Sequence, residues 1–573
     1  MTEITVDDGE ILLYSERELH EAAKHGDLEK VESLVSKGVN VNAMDEKDRI
    51  ALHLAAGQGH DEVVLFLLDN DAKVDWPDKY GMNALLWAAW FGHHKVLDAL
   101  SKANVTVKCE NKLGLNILHC AAMRGNIEVM KYIVENLIDE DAEEDEEAAS
   151  DTVALDSTQD NKLSGMFGRF KSGVSLLSDI SIVKKDETPK VRDDSSQFEK
   201  RTVHLEGKKT PFHLAAENGC TEVLQYLIIQ RCKKFARTED GCLAIQLAAK
   251  GGHVDAVKLL IENELEVDCR NVEGKTALHF AAEEGHPEVV DLLLQSNAEI
   301  NAKSNVRVYS EKTMEMCAIH FAALNEHVEV IGVLAKHTCR INIRNMPGNT
   351  ALHMCALLEK MKSLKSLLDW GCAVNAINKK KRTALHEATE NNVPSVVEML
   401  LLYGADVALA DKSGKTPISI AARADNVTIV DMLIKAERYM KKKKDAEENG
   451  GVPPKPVTQF RKDTSEQNKQ MKPIIWSLAT ENFKQNDWKK LAFHWGFTEA
   501  HVKAIGQQHT GQTSWKEHTY RMLLIWLHGC QEHPLRELFE ALSEIGKVKL
   551  AEKIRKQANK NAGYADNTMC LIS

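Results

Sequence analysis

The pair Ala22-Ala23 recurs as Ala55-Ala56, Ala88-Ala89 and Ala121-Ala122, each step being 33 residues. A second run at the same step passes through Ala215-Ala216, Ala248-Ala249 and Ala281-Ala282. After one step of 41 residues it continues through Ala322-Ala323, Cys355-Ala356, Ala388-Thr389 and Ala421-Ala422, which makes eleven units. A unit this short cannot bury its own apolar face and must stack on neighbours. Most of this 573-residue chain is therefore a one-dimensional array, and a single large core is excluded.

Within each unit the small Ala pair lets one helix press closely on the next unit. The apolar run that follows, Val64-Leu-Phe-Leu-Leu in the second unit, predicts a second helix, and Gly404-Ala-Asp-Val predicts the turn into a hairpin. The text around the pairs, Thr210-Pro-Phe-His-Leu-Ala-Ala-Glu-Asn-Gly and Gly274-Lys-Thr-Ala-Leu-His-Phe-Ala-Ala-Glu-Glu-Gly-His, resembles the ankyrin repeat. The expected fold is all-α dominated: an ankyrin-repeat solenoid of helix-turn-helix plus β-hairpin units. The resemblance implies that the recurring His20, His53, His119, His213, His279, His320, His353 and His386 hydrogen-bond between units. Metal ligands must converge, and these run along a stack, so no metal is expected. Gly274-Lys-Thr and Gly414-Lys-Thr look like the end of a phosphate loop, but Cys269 and Leu409 stand where the earlier Gly is needed. No catalytic residue or cofactor is expected. The 12 cysteines form no C-x-x-C pair and read as reduced, mostly buried side chains.

The chain divides into an N-terminal tail (1–15), repeats one to four (16–136), an insert (137–207), repeats five to eleven (208–436), a linker (437–470), a helical module (471–560) and a tail (561–573). The insert opens on Asp139-Glu-Asp-Ala-Glu-Glu-Asp-Glu-Glu and is expected to be disordered, although its Leu163–Leu177 stretch is apolar and basic enough to dock. Arg169-Phe-Lys-Ser172 within it resembles a basophilic kinase site. Eight extra residues, Ser304 to Glu311, are expected only to lengthen one loop.

After Ile434 the period ends. Thr498 is placed to cap a helix, and Trp488-Lys-Lys-Leu-Ala, Met522-Leu-Leu-Ile-Trp and Leu535 through Leu542 fall in an order of six short helices. That order resembles a death domain, a six-helix bundle used for homotypic assembly. Repeats followed by this module resemble the ankyrin repeat and death domain-containing protein family. The resemblance implies a non-catalytic signalling adaptor, its repeats holding a client protein and its bundle recruiting other death-domain proteins.

Ankyrin proteins bind through hairpin tips and the exposed end of the first helix. In repeats three and four those places hold Tyr80, Met82, Trp90, Phe91, Leu113, Leu115 and Met123, where other repeats carry polar pairs such as Glu217-Asn218 or Glu283-Glu284. These seven are the expected partner-binding residues. Residues 435–573 hold 24 Lys and Arg against 16 Asp and Glu, while the preceding part is acidic, so a salt-sensitive closed form is expected. Cys570-Leu-Ile-Ser has the form of a prenylation signal. Lys547, Lys549, Lys553, Arg555, Lys556 and Lys560 are expected to supply a second attraction, to an anionic membrane surface. A cytoplasmic, peripheral-membrane protein follows, with no nucleic acid partner expected. No signal peptide or membrane-spanning run is read. The alternative is an inhibitor-type ankyrin protein that sequesters its client and enters the nucleus through Lys441–Lys444.

Overall fold

The computed structural model describes residues 13–103, 105–137, 209–307, 313–449, 454, 456–461, 466–508, 514–530 and 534–561. The N-terminal residues before Leu13, the insert beyond Leu137 and the tail with Cys570 lie outside the described residues. Two compact units make up the chain, Met1–Glu299 and Ile300–Ser573.

The first unit holds repeats one to seven. Its first helices are Tyr14–His25, Ala51–Gln58, Ala84–Phe91, Ile117–Arg124, Pro211–Glu217, Ala244–Lys250 and Ala277–Glu284. Each is followed by an outer helix: Leu28–Ser36, Asp61–Asp69, His94–Lys102, Ile127–Tyr132, Thr221–Ile229, Val254–Glu262 and Pro287–Gln295. First helices pack side by side because both members of each Ala pair are buried and present only a methyl group. The insert does not interrupt the row. The first helices of repeats four and five pack on each other, and a Cβ at Gly125 would stand 3.0 Å from Cys220 Sγ.

Two ladders of side chains tie neighbours together. In the first, His53 Nδ1 accepts from the Ile50 amide at 3.2 Å, and its Nε2 lies 2.9 and 3.1 Å from the Trp76 and Met82 carbonyls of the next hairpin. His20, His213, His353 and His386 reach a carbonyl of the following hairpin in the same way. Inter-unit hydrogen bonding, as the ankyrin resemblance implies, is what these five histidines do. Gln246 holds the histidine's place in repeat six: its Oε1 accepts from the Leu243 amide at 2.7 Å, and its Nε2 donates to the Cys269 and Lys275 carbonyls. The second ladder, which sequence reasoning missed, points backwards. His60, His93, His253 and His286, each at the start of an outer helix, bond a carbonyl 36 residues earlier.

The backward ladder explains the glycine at the end of the first helix. Gly59 closes its helix at φ 82°, and a Cβ there would meet His93 Nδ1 at 2.5 Å. Gly59→Ala is expected to destabilise the first unit by about 1–3 kcal/mol, through left-handed strain and displacement of the imidazole. Hydrogen exchange across Ala51–Gln58 and His94–Lys102 checks it; unchanged protection in both helices refutes the steric argument.

The second unit holds repeats eight to eleven and the C-terminal module. First helices are Ala318–Leu324, Ala351–Leu357, Ala384–Glu390 and Pro417–Arg423; outer helices are Val328–Lys336, Met361–Asp369, Pro394–Leu402 and Val427–Glu448. The eight extra residues form part of a hairpin, not merely a longer loop: Val306–Arg307 pairs antiparallel with Thr313–Met314, in the register Val306 to Met314. Ser304 supports its base, donating from N and Oγ to the Met316 carbonyl. Among the described residues this is the one regular strand pair; the other hairpins are turns joined by single bonds such as Lys79 N–H to Lys47 O.

The module's six helices are Glu466–Ser477 (continued by a wide turn, Leu478–Asn482), Asp487–His494, Glu499–Gln507, Ser514–His528, Pro534–Glu544 and Val548–Asn561. Their shared core includes Trp488, Leu491, Ile505, Met522, Leu523, Trp526, Leu538 and Leu542, with Trp495 stacked on Trp526 at 4.1 Å. Thr498 caps the third helix, accepting from the His501 amide at 3.3 Å. The outer helix of the last repeat runs on to Glu448, into the segment 437–470 read from sequence as linker. Long polar side chains favour helix there, and Asn449 caps its end. No described helix is long and apolar enough to cross a membrane.

Candidate partner-binding surfaces

The hairpin of repeat three is organised by Asp78, whose Oδ1 accepts from the amides of Tyr80 and Met82 at 2.8 Å each. That leaves the Tyr80 ring at the tip. Lys112 N–H bonds the Tyr80 carbonyl at 3.0 Å, so the tip of repeat four, with Leu113, sits directly beside it. Tyr80 and Leu113 are each 61% exposed, as a docking tip requires.

The second group lies where the first helices of repeats three and four end. Phe91 is exposed and packs on Trp87, ring centroids 5.5 Å apart. The Arg124 guanidinium sits over Trp90 at 5.5 Å, and Arg49 over Trp87 at 5.7 Å. Trp87 was missed by sequence reasoning. Its indole Nε1 donates to Asp78 Oδ2 at 3.0 Å, and its ring fills the space over Gly57, where a Cβ would approach to 2.6 Å. The signal was present as a Gly in repeat two at the place where repeat three carries Trp90. Arg49 is paired with Asp45 at 2.6 Å, so it is Arg124 over Trp90 that sets positive charge beside this apolar surface.

Of the seven sequence-predicted residues, Tyr80, Phe91 and Leu113 are exposed, and Trp90, Met82 and Met123 are half-buried. Leu115 is a correction: it is only 4% exposed and cannot be a contact residue. Its amide donates to Asn111 Oδ1 and its carbonyl accepts from Asn111 N–H, which closes the hairpin at its base and turns the side chain inward. Leu357 and Leu358, exposed at the same place in repeat nine, were not singled out from sequence.

The basic residues on the last helix are also not one free face. Lys549, Lys553 and Lys556 are exposed at helical spacing. Lys547 is instead paired with Asp487 at 2.8 Å, and Arg555 is half-buried with its guanidinium over Phe539 at 5.9 Å. Lys547 stands just before the helix, and Arg555 lies on the side of it that packs on the bundle. The side chain of Lys560, like Cys570, falls outside what is described. Burial pushes the Cys232, Cys269, Cys355 and Cys372 thiols up to about 12, so they remain protonated, apolar packing groups.

A stack of repeats with an apolar, cation-flanked surface, joined to a helical bundle, defines a protein built for binding other proteins. Residues 19–111, 208–304 and 359–445 match the family described as ankyrin repeats (3 copies), residues 113–142 match the ankyrin repeat, and residues 472–558 match the death domain. The chain belongs to the ankyrin repeat and death domain-containing proteins, and both of its modules are non-catalytic interaction domains. Among solved structures it is similar to the human ASB11 ankyrin repeat domain, at 27% identity over 37% of this chain and 92% of that one, with a TM-score of 0.33.

Proposed function

We propose that the protein is a signalling adaptor whose repeats three and four hold a client protein while its bundle recruits partners of its own fold. The supporting observation is the group Tyr80, Leu113, Phe91 and Trp90, apolar where most other repeats carry Glu, Asn, Lys or Gly, and flanked by Arg124. Buried aromatic anchors with nearby Arg are the residues that dominate protein interfaces. On this reading one complex contains both partners. Trp90→Ala removes the client and leaves the death-domain partner bound; Trp476→Ala with Phe493→Ala, both exposed on the bundle, does the reverse. Loss of both partners in either variant defeats the adaptor reading.

The tail supplies the tether in this proposal. Cys570 takes a prenyl group, and Lys549, Lys553 and Lys556 add about 1 kcal/mol each against anionic lipid. Cys570→Ser is expected to move the protein from membrane to cytosol, read by fractionation. An intact Ser573 on protein purified from its native cells sinks this part, because prenyl processing removes it.

A further inference from the structure

Within the second unit the bundle is seated on the last repeat. Its third helix, Glu499–Gln507, packs against Pro417–Arg423 and Val427–Glu448, and its fourth, Ser514–His528, against Val427–Glu448. Arg521, 3% exposed, places Nη2 2.6 Å from Asp431 Oδ1. Buried His501 lies 2.9 Å from Glu437 Oε2. Arg438 donates to the Trp495 carbonyl at 2.9 Å and covers the Phe497 ring at 4.0 Å, and Lys442 donates to the Gly529 carbonyl. Asp431 with Arg521 joins a repeat carboxylate to a bundle cation, the same sense as the charge imbalance along the chain.

A short strap crosses the same junction. Glu398 Oε1, on the outer helix of repeat ten, accepts from the amides of Phe460 and Arg461 at 2.9 Å each. Lys435 Nζ donates to the Phe460 carbonyl. The Phe460 side chain, 1% exposed, lies against Tyr439 of the last repeat and His528 of the bundle, with centroids at 6.2 and 5.9 Å. Phe460 belongs to neither core, yet it is among the most completely buried large side chains. The junction is also incompletely satisfied: among the described residues Arg521 Nη1, Arg438 Nε and Gln508 Nε2 are buried with no acceptor.

We infer that the bundle is the C-terminal cap of the repeat stack, held shut by the Phe460 strap, and that releasing the strap exposes its third and fourth helices to a second bundle. The exposure half stands by itself; the assembly half rests on the adaptor reading. Closed, that face of the bundle is occupied by the chain's own last repeat. Open, Arg521, His501 and Phe497 become a cationic and aromatic surface.

The test uses the full chain. Hydroxyl-radical footprinting of Phe460→Ala is expected to raise modification of Trp495 and Phe497 at least five-fold, with Trp488 in the bundle core and Trp87 in the first unit unchanged. Sedimentation is expected to show concentration-dependent self-association that the parent lacks. Unchanged rates at Trp495 and Phe497 overturn the cap and leave the adaptor reading intact. Raised rates in a chain that stays monomeric overturn the assembly half. If Trp488 also becomes reactive, the bundle itself has opened, and Glu398→Ala then decides between cap and no cap by the same rates, since it cuts the strap's anchor and keeps every apolar side chain.

Discussion

Acidification from pH 7 to pH 4 is expected to loosen the repeat stack, and His213→Gln to remove one share of that loss. Burial holds His119, His213 and His320 at about 4, against an ordinary 6.5, so they are neutral in the fold. Between those values the unfolded chain binds more protons than the folded one. Each such histidine therefore contributes stability that is complete above pH 6.5, falls with falling pH, and is fully lost near pH 4. A displacement of that size is worth about 3 kcal/mol per histidine. The charged neighbours of His213, Lys209 and Glu217, pair with each other at 2.6 Å.

Gln246 shows that an amide can replace the imidazole. It makes the bond to the residue three before it and the bonds to the next hairpin, and it does not titrate. His213→Gln is thus expected to stay within about 1 kcal/mol of the parent at pH 7.5 and to exceed it by roughly 2–3 kcal/mol at pH 4.5. Hydrogen exchange across Pro211–Glu217 and Thr221–Ile229 at the two pH values reads the difference. Parallel pH profiles for parent and variant would remove the histidine ladder as the source of acid lability.

Truncating Trp90 is expected to weaken client binding by about 2 kcal/mol or more, roughly thirty-fold in Kd. The indole lies under the Arg124 guanidinium, so the variant loses apolar area and frees a cation that had been held in place. Glu284→Ala, at the helix end of repeat seven where repeat three carries Phe91, is the control and is expected to change nothing. Partners captured by the two variants and the parent, compared quantitatively and followed by titration of whichever falls, provide the measurement. If Trp90→Ala and Glu284→Ala retain the same partners at the same affinity, the client surface lies elsewhere. Leu357 and Leu358 of repeat nine are then the next place to look.

Tyr80, Leu113, Phe91 and Trp90 stand out in the sequence because a repeat provides its own comparison. Each position can be set beside its counterparts 33 residues away, and an apolar residue among polar ones stands out. The same comparison misplaced Leu115, because the period tells which residues are equivalent and not which way a side chain turns at the base of a hairpin. It passed over Trp87 for a related reason: the residue that makes room for its ring, Gly57, sits in the neighbouring repeat. Lys547 and Arg555 belonged to a basic run by composition, and only the packing of the last helix shows them tied to Asp487 and Phe539.

By itself the sequence determined the repeat number, the placing of helices within each unit and the presence of a terminal helical bundle, while its resemblance to known repeats implied the inter-unit role of the histidines. The repeat-borne features rest on contacts between neighbouring units, at separations such as 23 and 29 residues. Contacts that recur at every step leave a period in the amino-acid text. Tertiary structure alone decided that the bundle sits on the last repeat, that Phe460 straps it there, and that Arg521 meets Asp431 across 90 residues. Each of those contacts occurs once, between segments with no shared pattern. A single long-range pairing is selected by shape and desolvation when the chain closes on itself, and it leaves no repeating mark in the sequence.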